Sequence, residues 1–424
     1  MANDIKDTLH TAGAAAVMGL LPARPRLLAL GEPTHGEDAL LRLRNELFRE
    51  LVEKEGYRTI AIETDCVKGL VVDEYVASGT DGGLDDVTGG GGLHDVAGGG
   101  ALDDVMAHGF SHGWGAHAAN RELVCWMREF NDGRPTSERL RFAGFDGPLE
   151  ITGAASPRQA LTALHGYLAA HVDADLLPCT AATLDALTGA DERWTDPDAM
   201  TDPARSVGRS TEASELRLLA DELTALLDAQ EPHLRATTSP DAWDRARLYG
   251  RTATGLLRYH HAMADTSPAR MTRLCALRDL MMAGNLLALA DRGPVLVHAH
   301  NAHLQREKST MRMWQGTVEW WSAGALAAAR LGADYAFVPT ALGTIRHRGV
   351  DTPPPDTAEG LLYARTEDRC VVDARRLATA LTTAPPAPRV SPWFGYAPFD
   401  PAHLPGCDGL VFVKDVPRGQ APQG

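Results

Sequence analysis

Six short runs along the chain are almost wholly apolar and too brief for helices: residues 26–30 (RLLAL), 59–62 (TIAI), 140–145 (LRFAGF), 294–297 (PVLV), 335–338 (YAFV) and 410–413 (LVFV). Apolar runs that do not alternate with polar residues mark strands buried on both faces, as in a parallel sheet. Between them the period lengthens. Leu216, Leu219, Leu223, Leu226 and Leu227 recur at helical spacing within 212–230, and 241–263 and 270–290 read the same way. Strands alternating with helices predict an α/β fold, a mostly parallel sheet flanked by helices.

Residues 151–290 hold helical patterns and almost no strand candidates. This predicts a largely helical insertion or lid between a first core part, 1–150, and a second, 291–424. The segments DTPPPD (351–356) and 384–392 read as loops, and 418–424 as a frayed end. One internal repeat stands out: LDDV at 84–87, LHDV at 93–96 and LDDV at 102–105, nine residues apart and separated by glycine runs. Nonapeptide Gly/Asp repeats can bind calcium on a β-roll, but these copies lack the full GGxGxD pattern. A Gly-rich loop over 81–100, grown by duplication, is the simpler expectation.

Composition narrows the function classes. In 424 residues, 41 Lys and Arg face 56 Asp and Glu, a net charge of −15. That balance argues against nucleic acid or an anionic membrane as the main partner. Cys66, Cys125, Cys179, Cys275, Cys370 and Cys407 are scattered with no CxxC pair, which suits a reducing compartment and no structural zinc module. The N-terminus lacks a basic segment followed by an apolar core, so a cytoplasmic protein is expected, a monomer or small homo-oligomer.

In open α/β sheets ligands bind beyond the carboxyl ends of the strands. Glu32, Thr34, His35 and Glu37 follow the first run, Glu63 and Asp65 the second, and Asp146 the third; His298, His300, Asn301 and His303 follow the fourth. Four strand ends thus deliver carboxylates and histidines to one rim. Thr34 and Glu37 have capping-box spacing, predicting a helix that begins near His35 with Leu40, Leu43, Leu47 and Leu51 facing inward. In that first turn the helix dipole would hold His35 neutral at pH 7, as a general base requires. The HAHNAH run also invites a metal reading. The HxH of metal-dependent amidohydrolases, however, follows a first barrel strand near the N-terminus, and here it lies roughly 300 residues in with no eightfold strand–helix repeat. The sequence has no GxSxG elbow, GxxxxGK[ST] loop, HExxH or GxGxxG after a strand, which weighs against serine hydrolases, nucleotide triphosphatases and Rossmann dehydrogenases. Trp314, Trp320 and Trp321 read as packing.

The motifs resemble those of the erythromycin esterase family, part of a superfamily that includes succinoglycan-biosynthesis-related proteins. LGEPTHGE (30–37), TIAIETD (59–65), GFSHGWGAHAANRELVCWMREFN (109–131), FAGFD (142–146), RDLMMAGN (278–285), HAHNAH (298–303) and CDGLVFVKDVP (407–417) occur in the family's order. The resemblance implies an α/β core with a cleft above the strand ends and a helical lid portion. It implies hydrolysis of an ester or lactone, such as a macrolide, by water that His35 activates without a serine nucleophile or cofactor. Glu32 and Glu63 match the carboxylates around that histidine, Arg44 an arginine of the site, and His300 and His303 the later histidines. Trp114, Asp146, Asn301 and His298 are the expected substrate-facing residues. Arg44 sits awkwardly: nine residues beyond His35 on an ideal helix is about half a turn away in direction and roughly 13 Å along the axis. His298 departs from the family, which usually has an aromatic residue there, and so does the Gly-rich repeat. Two alternatives stand beside hydrolysis, whose role would lie in antibiotic resistance or biosynthesis. One is base-catalysed elimination, cyclisation or acyl transfer on a natural-product intermediate; the other is a metal-binding protein built on the HAHNAH cluster.

Overall fold

The computed structural model describes residues 8–78, 99–150, 153–313, 316–382 and 385–418. Five strands form the central sheet: β1 (Leu27–Glu32), β2 (Thr59–Asp65), β3 (Arg141–Asp146), β4 (Val295–His300) and β5 (Tyr335–Val338). They pair in the order β5-β1-β4-β2-β3, every pair parallel. Side chains alternate between two cores, as the pleat requires. Leu28, Leu30, Ile60 and Ile62 join one, with Leu40, Leu43, Leu47 and Leu51 of helix α1 (Asp38–Lys54) and with residues of α2 (Ala118–Asn131). Leu27, Ala29, Ala61, Val295, Val297 and Phe337 join the other, and α3 (Pro240–Met263) is followed by α4 (Arg270–Ala290), whose Met282, Leu286 and Ala290 cover that second face. Burial on both faces is why these strands read as unbroken apolar runs.

The sixth run is also a strand, Leu410–Asp415, but it lies in a second, mixed sheet with Leu9–Thr11, Thr340–Thr344 and Arg369–Val372. Pro339 makes the step between sheets: it has no N–H to extend the β5 ladder, and its carbonyl accepts from Val411 N at 2.9 Å. Among the described residues every element between Gly153–Ala154 and β4 is helical, and Leu161, Leu164, Leu216, Leu223 and Trp243 build a separate core there. Trp320 and Trp321 end an antiparallel hairpin (Lys308–Met313 with Gly316–Trp321), and Trp314 lies outside the described residues. So do the first two copies of the glycine-rich repeat; the third forms part of the helix Gly99–His108. No helix among the described residues is long and apolar enough to cross a membrane.

One local expectation is corrected. Helix α1 begins at Asp38, with Glu37 as its N-cap and no side-chain cap bond, three residues later than the capping-box spacing implied. Gly36 adopts φ 81°, a left-handed conformation that cannot be part of a right-handed helix. His35 therefore sits in a tight turn before the helix. Glu37 uses its carboxylate to accept from His347 Nε2 at 3.1 Å and Arg348 Nε at 3.4 Å.

Phe337 is 1 % exposed at the middle of β5. Phe337→Ala should cost about 3–5 kcal/mol by transfer and cavity terms, read as a lower urea midpoint with an unchanged slope.

Candidate active site

The carboxyl ends of β1, β2, β3 and β4 meet at one rim, and the turn after β1 places His35 above them. His35 Nδ1 lies 2.8 Å from Glu32 Oε1, and its Nε2 lies 3.9 Å from Glu63 Oε1. Both carboxylates are buried, whereas the His35 side chain is 47 % exposed. Trp114 meets the His35 ring edge-on, with centroids 5.3 Å apart, and the His300 ring is as close on another side.

Electrostatics follow from this crowding. Burial disfavours the imidazolium of His35, but Glu63 and the hydrogen bond to Glu32 outweigh it and raise the pKa to about 9. Water at the open edge screens part of that attraction. This reverses the neutral histidine expected from a helix start: His35 is outside the helix, and two ionised carboxylates flank it. Burial likewise opposes the charge on Glu32, yet His298 and His35 pull its pKa down to about 2. Glu63 also falls well below the usual carboxylate range despite its burial, because His303, His35 and Arg278 surround it and the His300 N–H donates to its Oε2 at 2.8 Å. The His300 pKa, unlike that of His35, falls to about 4 through burial and the charge of His35. Its Nδ1 accepts from Ala302 N at 3.2 Å, which leaves the proton of the neutral ring on Nε2.

The three histidines of HAHNAH serve different partners. His298 is 2 % exposed beneath Glu32, with Nε2 3.2 Å from Oε2 and Nδ1 3.2 Å from the Leu30 carbonyl. His303 spans Asp279, at 2.7 Å from Nδ1, and Glu63, at 3.4 Å from Nε2. Among the described residues no three His, Cys, Asp or Glu side chains converge as a metal site. Asn301 is committed to the backbone: it donates to the Thr340 carbonyl at 2.9 Å and accepts from Thr340 N at 3.3 Å. Asp146 is fully buried. Arg44 is buried too, donating to Asn45 and Asn120 at 2.7 and 2.8 Å. Its Nη1 has no hydrogen-bond partner, burial lowers its pKa to about 10, and the charge of Glu32 works against that fall. Because α1 starts at Asp38, the nine-residue helical offset from His35 does not apply.

A family model described as erythromycin esterase matches residues 52–415. The chain belongs to the erythromycin esterase family. A crystal structure of a Bacillus cereus protein superposes with a TM-score of 0.68 at 17 % identity, covering 98 % of this chain and 97 % of that one. A succinoglycan biosynthesis protein gives 0.65 at 14 % identity over 98 % and 96 %. A histidine-to-asparagine mutant of the erythromycin esterase EreC, in its open conformation, gives 0.59 at 17 % identity over 94 % and 93 %. At such identities these structures share the fold. No curated protein matches the chain.

In this family member, sequence reasoning gave no site role to three residues of the network, although Arg278 and Asp279 open the motif RDLMMAGN and His112 lies within 109–131. Arg278 of α4 donates to Glu63 Oε1 at 3.0 Å and to Asp146 Oδ2 at 2.7 Å. Its neighbour Asp279 accepts from Trp320 Nε1 at 2.9 Å besides holding His303. His112, at φ 53°, places Nε2 3.1 Å from Asp146 Oδ2 and Nδ1 2.9 Å from Glu150 Oε2. The signal for Asp279 and Arg278 was polar residues on a helix whose neighbours Leu274, Met282 and Ala283 are core.

Arg278 keeps Glu63 and Asp146 ionised, so both pKa values lie below their unfolded ones. Such groups stabilise the fold above the unfolded carboxylate pKa and lose that contribution as the pH falls. Arg278→Met should therefore cost about 3–5 kcal/mol at pH 7, with the deficit narrowing below about pH 4 in urea melts of both proteins.

Proposed function

We propose that this member of the family hydrolyses a carboxylic ester, lactones included, using water activated by His35. The observation that carries the reading is the 2.8 Å Glu32–His35 pair, which leaves Nε2 facing Glu63 across 3.9 Å. In the deprotonated ring, Nδ1–H donating to Glu32 sets the tautomer and leaves the lone pair on Nε2. A gap longer than a hydrogen bond suits a water held by both Nε2 and Glu63 Oε1. As that water attacks the ester carbonyl its proton passes to Nε2, and the two carboxylates stabilise the imidazolium that forms. The imidazolium then returns the proton to the leaving alkoxide. His300, neutral with Nε2–H free, is the donor placed to meet the carbonyl oxygen as it becomes an oxyanion. Glu63 is held in place by Arg278 and His303, and Glu32 by His298 with the Arg44 charge behind it.

Mass spectrometry of macrolides and simpler lactones incubated with wild type and His35→Ala tests the reading. A product heavier by one water, formed at a rate about 10²–10⁴-fold lower in the variant, is expected. A product lighter by one water would instead establish base-catalysed elimination at the same site, and hydrolysis would be wrong.

The pH profile offers an independent check. A base acts in its deprotonated form, so a pKa raised to about 9 pushes the rising limb of kcat/KM well to the alkaline side of 6.5. Glu63→Gln removes one of the attractions and should move that limb acidward by about one unit, whatever it does to the maximal rate.

A further inference from the structure

A second polar concavity lies away from this rim, along the free edge of β3 and closed by the helix Gly69–Ala77, α3 and α4. Its volume of about 80 Å³ is room for several waters or one small ion, and far too little for a macrolactone. Arginines dominate its polar lining. Arg141 is balanced by Asp73 and Asp241 at 2.6 and 2.9 Å, and Arg292 by Asp241 and Asp244 at 3.0 and 3.1 Å. Arg245 pairs with Glu74.

Two guanidiniums are left over. Arg247 and Arg251 stand one turn apart on α3, and neither has a carboxylate at ion-pair distance among the described residues. Arg247 lies 5.9 Å over the Trp243 ring. Arg251 donates from Nε to Asn285 Oδ1 at 3.2 Å. Among the described residues, the carboxylate whose charge reaches Arg251 is Asp244, which Arg292 already holds. Burial and the charge of Arg247 together lower the Arg251 pKa to about 10, the response of a cation with no counter-ion. Like charges at i, i+4 destabilise a helix, and two of them lining one cavity without a carboxylate partner call for an anion from outside.

We propose that this cavity is a binding site for a small oxyanion, phosphate or carboxylate, gripped by the forks of Arg247 and Arg251. Planar guanidiniums suit either group because each offers paired N–H donors to paired oxygens. The proposal is independent of the hydrolytic reading, although the two sites share α4. Asn285, which positions Arg251, also donates to the Phe145 carbonyl at 3.1 Å, one residue before Asp146.

Calorimetric titration and thermal melts of the full chain, with inorganic phosphate and with acetate at constant ionic strength, test the site. Saturable binding of one probe with a rise in Tm is expected, and the preferred probe identifies the oxyanion. In Arg247→Gln/Arg251→Gln the affinity should fall about tenfold or more, while the anion-free Tm stays level or rises as the repulsion is removed. Arg251→Lys, which keeps the charge but loses the fork, provides a second, milder variant and should weaken binding less. Equal stabilisation of wild type and both variants, or no saturable binding of either probe, would overturn the proposal.

Discussion

A carboxylate buried at the end of a strand has to be neutralised by its surroundings, and Glu63 imposes that demand on this molecule. It is 3 % exposed and held as an anion. Left alone, such a group would cost several kcal/mol or take up a proton. Instead β4 brings the His300 N–H, α4 brings Arg278, the short helix after β4 brings His303, and the turn after β1 brings His35. Four chain segments, drawn from residues 35 to 303, are tied to one oxygen pair. The parallel order β5-β1-β4-β2-β3 makes this convergence possible, because β1 and β2 both flank β4 and all their carboxyl ends point the same way.

The same geometry explains what could be read from the sequence. Strand ends were legible because doubly buried strands are short apolar runs, so the first polar residue after each run is already at the rim. Glu32, Glu63 and Asp146 followed from that rule; after the fourth run the first polar residue, His298, is still inside β4 and buried, and His300 two residues on reaches the rim. Helix α4 was legible separately, from the periodicity over 270–290. Residues that reach the rim from the side of a helix were not legible. Arg278 and Asp279 sit in an otherwise helical pattern, and only tertiary contact shows that they face Glu63 and His303. The second sheet escaped notice for a different reason. Its strands Leu9–Thr11, Thr340–Thr344 and Arg369–Val372 are three to five residues long and mixed in character, too little for a period to emerge.

The miss at His35 is the more instructive one. Thr34 and Glu37 have the spacing of a capping box, but Gly36 at φ 81° ends any such helix before it starts. A local rule was overridden by a single glycine, and the electrostatic inference built on it reversed sign. In a helix's first turn the imidazole would have been held neutral by a partial positive charge. In the turn it occupies, two carboxylates raise its pKa instead. Neutral character passes to His300, whose pKa falls partly because His35 is charged. Two histidines 5.3 Å apart thus divide the labour, one able to hold a proton strongly and the other to donate from an uncharged ring.

That division bears on how the site tolerates its own charge. Within the rim, Glu32, Glu63, Asp146 and Asp279 are interleaved with Arg278 and with His35 and His303, both raised in pKa, so each acid has a partner although four acids share three of them. On the proposed hydrolytic reading, a neutral ester disturbs no ion pair, because its carbonyl oxygen can meet the uncharged His300 N–H. An anionic substrate would have to compete with Glu32 and Glu63 for His35 and bring a fifth negative charge to four acids that already share three partners. On that reading the rim disfavours carboxylates, including the one that hydrolysis would produce, so the charges that accept a neutral ester would also help to release the acid.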